Sequence, residues 1–191
     1  LTLQTKKMKQ ILLALIIFLV SNLTLLLGQA VTNNGGIITV QSGATLSIKG
    51  DILNKGSGEI ENYNEIDVSG AITNNGSTTM FSQNGNVTLN GVALQNISGT
   101  SAITFYNLTS NNTSTGSQLN TNISVANNLT ITDGDINLNG YDIDLFSTGT
   151  LIGETNDKRI FGTAGVIKTT RNINAPSNVN IAGLGAVLDG A

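Results

Sequence analysis

The sequence predicts an all-β protein, a right-handed parallel β-solenoid with coils of about 20 residues behind an N-terminal signal helix. Three observations support this fold class. The 191 residues include 22 glycines but one proline and few aromatic residues, a composition typical of short strands joined by tight turns. Apolar residues alternate with polar ones, which indicates half-buried strands. A motif also recurs after 20 residues, and so short a unit buries its apolar face only by stacking on its neighbours.

The N-terminal segment has the pattern of an export signal. The chain starts with leucine, and we expect Met8 to be the initiator, with a mis-called or partial reading frame before it. Three lysines form the basic beginning of the signal: Lys6, Lys7 and Lys9. An apolar stretch over residues 11–27 follows, and small residues at Gly28 and Ala30 predict cleavage before Val31, so that the signal peptide spans residues 1–30. An uncleaved transmembrane anchor is the alternative, because 17 residues are at the short limit of a membrane span.

Cysteine and histidine are both absent from the sequence. An exported chain without cysteine has no disulfides or thiolate chemistry, and it lacks the residue to which a lipid anchor is attached. The absence of histidine removes the side chain that most often serves as a general base near neutral pH. Removal of the signal leaves six basic and twelve acidic residues, a net charge of −6, so nucleic acid is not an expected partner.

The clearest repeat lies between residues 47 and 76. Four equivalent pairs are separated by 20 residues: Gly50 and Gly70, Ile52 and Ile72, Asn54 and Asn74, Gly56 and Gly76. A looser third copy runs over residues 89–99, with Leu94, Asn96 and Gly99 at the corresponding places. If each copy is one coil, its strands pair in parallel with the coils above and below. Glycine and asparagine then mark the corners, where the asparagines are expected to form a hydrogen-bonded ladder.

The solenoid is predicted to occupy residues 31–191 in roughly seven coils. Its inward-facing residues form six alternating pairs: Leu46 and Ile48, Ile66 and Val68, Val87 and Leu89, Leu129 and Ile131, Ile136 and Leu138, Ile143 and Leu145. Residues 147–165 are less regular and include a charged segment, 154–159, which we predict to be a loop. Nothing in residues 183–191 resembles the cap that a solenoid end requires, so we expect a fragment, truncated at its C-terminus.

Two segments resemble a known class of proteins. Residues 37–51, which read IITVQSGATLSIKGD, are similar to the opening of large repeat-bearing proteins that Gram-negative bacteria export by the type IX route. Residues 129–140, which read LTITDGDINLNG, resemble a later coil of the same proteins. The resemblance covers most of residues 31–165. It implies surface display by an adhesin-like parallel β-solenoid, and the sorting domain that ends those proteins is expected in the missing remainder.

Four aspartates are the candidates for a metal site: Asp133, Asp135, Asp142 and Asp144. Each pair is two residues apart and is therefore expected to project from one face of a strand. Carboxylates on stacked coils suit calcium, which takes several oxygen ligands in irregular geometry. Residues 135–140 match the first half of an EF-hand loop, but Phe146 stands where the bidentate glutamate is needed. We expect solvent-facing carboxylates without a metal, with bound calcium as the alternative.

A polysaccharide lyase of the β-helix kind is the leading enzyme hypothesis. That chemistry requires clustered carboxylates beside an arginine or lysine base, and the adjacent basic pair Lys158 and Arg159 is close to Glu154 and Asp157. The same four residues are also explained as a solvated loop with weak ion pairs. Acidic and basic residues that converge from three or more coils in one groove would favour the enzyme, whereas dispersed charge favours a structural role.

Two binding functions remain open from the sequence. Thr130 and Thr132 form one Thr-x-Thr unit of the kind that ice-binding solenoids repeat on successive coils, but Lys49 and Asp67 at matching places interrupt the array. Carbohydrate binding usually requires exposed aromatic residues. Five aromatic residues are candidates: Tyr63, Phe81, Tyr106, Tyr141 and Phe146. Each of them is also explained as a corner or core residue.

We therefore predict a non-catalytic, adhesin-like structural region of a secreted or cell-surface bacterial protein. It is expected outside the cell or on its outer surface, after export through the inner membrane. A polysaccharide-acting β-helix or a carbohydrate-binding module is the alternative. We assign no catalytic residue and no cofactor. The predicted partners are extracellular glycans, a host or neighbouring cell surface, and further coils or domains of the full-length protein, while membrane contact is expected only through the signal segment.

Overall fold

The computed structural model describes residues 30–76, 79–174 and 176–189. Within them the chain is all-β: parallel strands form a β-solenoid of about six turns with coils about 21 residues apart, and no helix occurs. In this described part, no helix has the length and apolarity needed to cross a bilayer. The signal segment predicted over residues 1–30 lies, up to residue 29, outside the described residues.

The strands are short and follow one another closely along the chain. Their bounds are β1 (Val31–Asn34), β2 (Ile37–Val40), β3 (Thr45–Ile48), β4 (Ile52–Gly56), β5 (Glu59–Asn62), β6 (Glu65–Val68), β7 (Ile72–Gly76), β8 (Phe81–Ser82), β9 (Asn86–Leu89), β10 (Gln95–Gly99), β11 (Ile103–Asn111), β12 (Ser117–Leu119), β13 (Ile123–Asp133), β14 (Ile136–Asn137), β15 (Ile143–Asp144), β16 (Thr150–Ile152), β17 (Ile160–Phe161), β18 (Ile167–Lys168), β19 (Val179–Asn180) and β20 (Val187–Leu188).

Strands that stack on one another form three faces of the solenoid. The first face contains, in stacking order, β1, β4, β7, β10, β12, β14 and β17. The second face begins with β2, β5 and β8, and the third begins with β3, β6 and β9. The long strands β11 and β13 have a register shift between Phe105 and Asn107, and each contributes to both of these faces. For this reason β15 pairs with the first half of β13, whereas β16 pairs with its second half.

The predicted 20-residue repeat is confirmed for its first two copies. Three partner pairs on β4 and β7 carry it: Ile52 and Ile72, Asn54 and Asn74, Gly56 and Gly76. The third copy was placed wrongly. Ile97, not Leu94, pairs with Ile72, and Leu94 is exposed. The turn before β10 holds extra residues, so the strand begins only at Gln95 and the inward position moves along the chain.

Inward-facing side chains form one hydrophobic core along the stack. The six predicted alternating pairs all face this core, and only Leu46 of their twelve residues is half-buried rather than buried. Phe81 and Phe105 stack inside the core with their ring centroids 5.3 Å apart. Burial of each large aliphatic side chain contributes about 1.5–3 kcal/mol, so this column is the main source of stability.

Buried asparagines lie where the chain turns from one face to the next. We call them the corner asparagines: Asn33, Asn54, Asn62, Asn74 and Asn112. Asn54 Nδ2 donates to Asn74 Oδ1 over 3.0 Å and to the carbonyl of Gly58 over 2.8 Å. The first of these bonds joins equivalent residues of successive coils, so the expected ladder is confirmed for this pair.

Asn112 shows what a corner asparagine does for the backbone. Its Nδ2 donates to the carbonyl of Ala93 over 2.7 Å and to Gln95 Oε1 over 3.0 Å. Its Oδ1 accepts from the amides of Ser114 and Gly116, each over 3.1 Å. Turn residues leave the strand ladder, and a buried backbone group without a partner costs about 1–3 kcal/mol. The buried amide therefore stabilises a turn that β-pairing does not satisfy.

Glycines make room for these buried amides. A Cβ atom on Gly85 would lie 2.4 Å from Asn62 Cγ, and one on Gly58 would lie 2.4 Å from Asn54 Oδ1. Real Cβ atoms do not approach other atoms so closely. Glycine is required at these two places by close approach of a side chain, because neither residue has a left-handed backbone conformation.

The last described residues cover the end of the stack. The amide of Leu151, on the outer edge of β16, donates to the carbonyl of Ala182 over 2.8 Å. Ala182 is buried, Leu184 packs against the core, and the Arg171 guanidinium donates to carbonyls of the last turn. Beyond position 183, Leu184 packs against the core, whereas Val187 and Leu188 are exposed. The missing cap and the truncation at the C-terminus stay predictions.

Candidate functional site

Asp133 and Asp144 are the last residues of β13 and β15, whereas Asp135 and Asp142 lie directly before β14 and β15. Asp135 accepts a hydrogen bond from the amide of Arg159 over 2.9 Å, and Asp142 accepts one from the amide of Val166 over 3.1 Å. These two carboxylates thus bind the next coil. Asp133 and Asp144 accept bonds from backbone amides one and two residues further along. Within the described residues, no group of three or more aspartate, glutamate, histidine or cysteine side chains is arranged to hold a metal ion.

The charged residues of the lyase hypothesis lie on one exposed loop between β16 and β17. Glu154 Oε1 accepts from the amide of Ile160 over 2.9 Å, and Lys158 Nζ donates to the carbonyl of Thr132 over 2.8 Å. Arg159 and Glu154 border a shallow depression on this loop. Among the described residues, the hydrogen bonds of this loop reach one charged residue of another coil, Asp135, which accepts from the backbone amide of Arg159. In this part of the chain, charged side chains from three coils do not converge on the loop.

A column of threonines lies on the outside of the third face. Thr130 pairs with Thr109, which pairs with Thr88, and the same column continues to Asp67 and Ser47. The aspartate that interrupts the array is thus confirmed, but the sequence comparison missed two threonines. Thr88 Oγ1 donates to Glu65 Oε1 over 2.7 Å, so this hydroxyl is engaged with a carboxylate rather than presented alone.

The five aromatic candidates divide into two groups. Phe81 is buried in the core, which excludes it from a surface site, and Tyr106 is half-buried beside the register shift of β11. Tyr63, Tyr141 and Phe146 are exposed. The sequence analysis missed a further exposed aromatic residue, Phe161. Its strand, β17, has only two residues and follows a loop whose end the sequence pattern does not mark, so no alternation of apolar and polar residues indicated it.

Phe161 continues a column of amide side chains on the first face. Asn96 pairs with Gln118, Gln118 with Asn137, and Asn137 with Phe161. Asn120 and Asn139 follow two residues after Gln118 and Asn137 and extend the same outward side. We call these five amide residues the amide face: Asn96, Gln118, Asn120, Asn137 and Asn139. Their side chains are half-buried or exposed, in contrast to those of the corner asparagines.

Hydrogen bonds within the amide face connect successive coils. Asn120 Nδ2 donates to Asn96 Oδ1, and Asn139 Nδ2 donates to Asn120 Oδ1, both over 3.0 Å. Gln118 Nε2 donates to Asn120 Oδ1 over 3.3 Å, and Asn137 Nδ2 lies 3.5 Å from Gln118 Oε1. Each amide is therefore held in one orientation by its neighbours.

The amide face is uncharged. The outward residues of β10, β12 and β14 are asparagine, glutamine and serine, and two charged residues stand at one margin, where the backbone amide of Arg159 donates to Asp135. A salt bridge in the described part of the chain, between Lys168 and Asp142 over 3.3 Å, joins β18 to the turn before β15. The amide face therefore offers donors and acceptors at regular intervals without attracting ions.

Comparison with models of known protein families, with curated proteins and with solved structures found no match.

Proposed function

We propose that the chain is a non-catalytic, adhesin-like structural region of a secreted or cell-surface bacterial protein. The observation that carries this proposal is the stack itself. Parallel strands on three faces surround one core for about six turns. At about 4.8 Å per coil, such a stack is about 30 Å long. It holds whatever is attached to its two ends at a fixed separation, which is what a stalk or spacer requires.

The sequence supports the extracellular part of the proposal. Residues 1–30 have the signal pattern, and the resemblance to proteins exported by the type IX route spans most of residues 31–165. The proposal includes a signal helix that is cleaved before Val31 and right-handed winding of the coils. The stability of the rod comes from packing and backbone hydrogen bonds, which suits an exported chain without cysteine.

The distribution of charge favours this function over a polysaccharide lyase. Glu154, Lys158 and Arg159 belong to one loop of one coil. The side chains of Glu154 and Lys158 each bond to a backbone group, and the backbone amide of Arg159 donates to a single carboxylate of another coil. A lyase needs its carboxylates and its base to converge on the same sugar, with geometry held by rigid neighbours.

Depolymerisation assays test the structural assignment. The full chain is incubated with acidic and neutral polysaccharides, with and without calcium, and new reducing ends are measured. We expect no release of oligosaccharides from the wild type or from a Lys158→Ala/Arg159→Ala double variant. Release that disappears in the double variant would overturn the assignment and support the lyase.

Export is tested separately. The chain is expressed from Met8 in a Gram-negative host, and the N-terminus of the accumulated protein is determined by mass spectrometry. The expected product lies outside the cytoplasm and begins at Val31. Retention in the cytoplasm with residues 8–30 intact would contradict the extracellular assignment.

A further inference from the structure

We infer that the amide face binds a neutral polysaccharide chain that lies along the solenoid axis. This inference deepens the proposed function, since it assigns a ligand class to an adhesin-like region. The binding surface consists of the amide face together with Phe161, which stands on the coil after Asn137 in the same column.

The spacing of the amide face suits an extended polymer. Asn96, Gln118 and Asn137 lie on successive strands of one parallel sheet, so equivalent amides recur at about 4.8 Å along the axis. A repeating ligand that runs in the same direction meets a similar set of donors and acceptors at each coil. A small globular ligand would use only one or two of these coils.

The chemistry of the amides suits hydroxyl groups. Each primary amide has two N–H donors and two acceptor lone pairs, and the bonds between coils use only part of this capacity. A sugar hydroxyl both donates and accepts, so it pairs with either end of an amide. The mutual bonds also fix the amides before the ligand arrives, which lowers the entropic cost of binding.

Phe161 supplies the apolar component of the site. Its side chain is 42 % exposed, although most large apolar residues of the stack are buried. The faces of sugar rings carry C–H groups, which pack against an aromatic ring while the hydroxyls at the ring edge reach the amides. Sites that combine an aromatic surface with a few placed polar groups are typical of small-molecule and sugar recognition.

The charge of the surface selects against other ligands. An acidic polysaccharide would find no cation among the outward residues of β10, β12 and β14, and Arg159, at the margin before Phe161, lies beside the carboxylate of Asp135. A protein partner would normally bury several aromatic or apolar anchors at the centre of its interface, whereas this surface offers one ring. A neutral glycan needs neither feature.

Retention of the full chain on insoluble neutral polysaccharides tests the inference. Cellulose, chitin and insoluble mannan serve as probes, and acidic gels of calcium pectate and alginate serve as comparisons. We expect retention on at least one neutral polymer and none on the acidic gels. Phe161→Ala should lower the association constant for the polymer at least tenfold. Tyr63→Ala, which removes a similarly exposed ring elsewhere, should leave this constant unchanged.

A second variant keeps the test decisive if Phe161→Ala disturbs the fold. Asn137→Asp preserves the shape of the side chain but adds a charge to the amide face, and it should weaken binding to the same polymer. Circular dichroism and thermal unfolding confirm that each variant is folded. Failure of every neutral polymer to retain the wild type, binding by both variants at wild-type strength, or binding only to acidic gels would overturn the inference. Cleavage of the polymer would instead contradict the proposed structural function.

Discussion

The corner asparagines and the amide face use the same functional group in opposite environments. Asn112 is fully buried; two of its hydrogen bonds hold its own turn, and the other two reach Ala93 and Gln95 of the preceding coil. Asn120 is half-buried, and its bonds run to other surface amides. A strand turns alternate residues to opposite sides, so one step along the chain separates the two environments. The difference teaches that asparagine content alone predicts neither stability nor binding in such a stack.

The largest expected difference lies between Asn112→Ala and Asn120→Ala. The first substitution removes four buried hydrogen bonds and opens a cavity, so the free energy of unfolding should fall by about 3–4 kcal/mol. The second acts at a partly exposed surface and should change the same quantity by about 0.5 kcal/mol or less. Urea denaturation of the full chain measures both. Equal losses would show that buried and surface amides are energetically alike.

A smaller effect is expected from adding a methyl group beside a corner asparagine. Gly85→Ala places a Cβ atom 2.4 Å from Asn62 Cγ and should lower the free energy of unfolding by about 1–3 kcal/mol. Gly36→Ala is the matched control, since its Cβ would lie 3.5 Å from Asn33 Oδ1, an ordinary contact. Thermal unfolding should separate the two variants. A wild-type midpoint for Gly85→Ala would mean that the buried amide moves aside without cost.

The smallest effect is expected from the surface ion pair. Lys168→Ala removes the 3.3 Å salt bridge to Asp142, whose partners are both substantially exposed. The free energy of unfolding should change by about 0.5 kcal/mol, and the change should shrink further at high salt. Denaturation at low and high ionic strength checks this. A loss comparable with that of Asn112→Ala would mean that surface charge, not buried amides, stabilises the coils.

The repeat and the core were predictable because they depend on local alternation and on a constant offset. Ile52 and Ile72, twenty residues apart, gave the stacking directly. The third copy was misplaced because Leu94 and Ile97 are both apolar, and only the length of the preceding turn decides which of them faces inward. Turn lengths vary between coils without disturbing the strands. A single sequence therefore gives the period but not every register.

The candidate site was less predictable for the same physical reason. Phe161 faces outward because β17 starts at Ile160, and the charged loop before it hides that start. Finding the amide column from the sequence requires the correct pairing of three coils. The number of residues between paired positions differs from Gln118 to Asn137 and from Asn137 to Phe161. The sequence predicted solvent-facing carboxylates on strand faces; Asp133 is exposed, whereas Asp135, Asp142 and Asp144 are half-buried. Asp135 and Asp142 also accept hydrogen bonds from backbone amides of the next coil, and no side-chain pattern reveals these two contacts.

The direction of the parallel ladders has a mechanical consequence. Hydrogen bonds between coils point along the axis, so a force that pulls the two ends apart loads one coil boundary after another instead of shearing many strands together. A coil that detaches releases about 21 residues, and an extended chain of that length spans about 70 Å. Each event would lengthen the rod by more than twice its folded height of about 30 Å. A surface tether built in this way would lengthen in steps and dissipate the energy of a sudden pull before its attachment breaks.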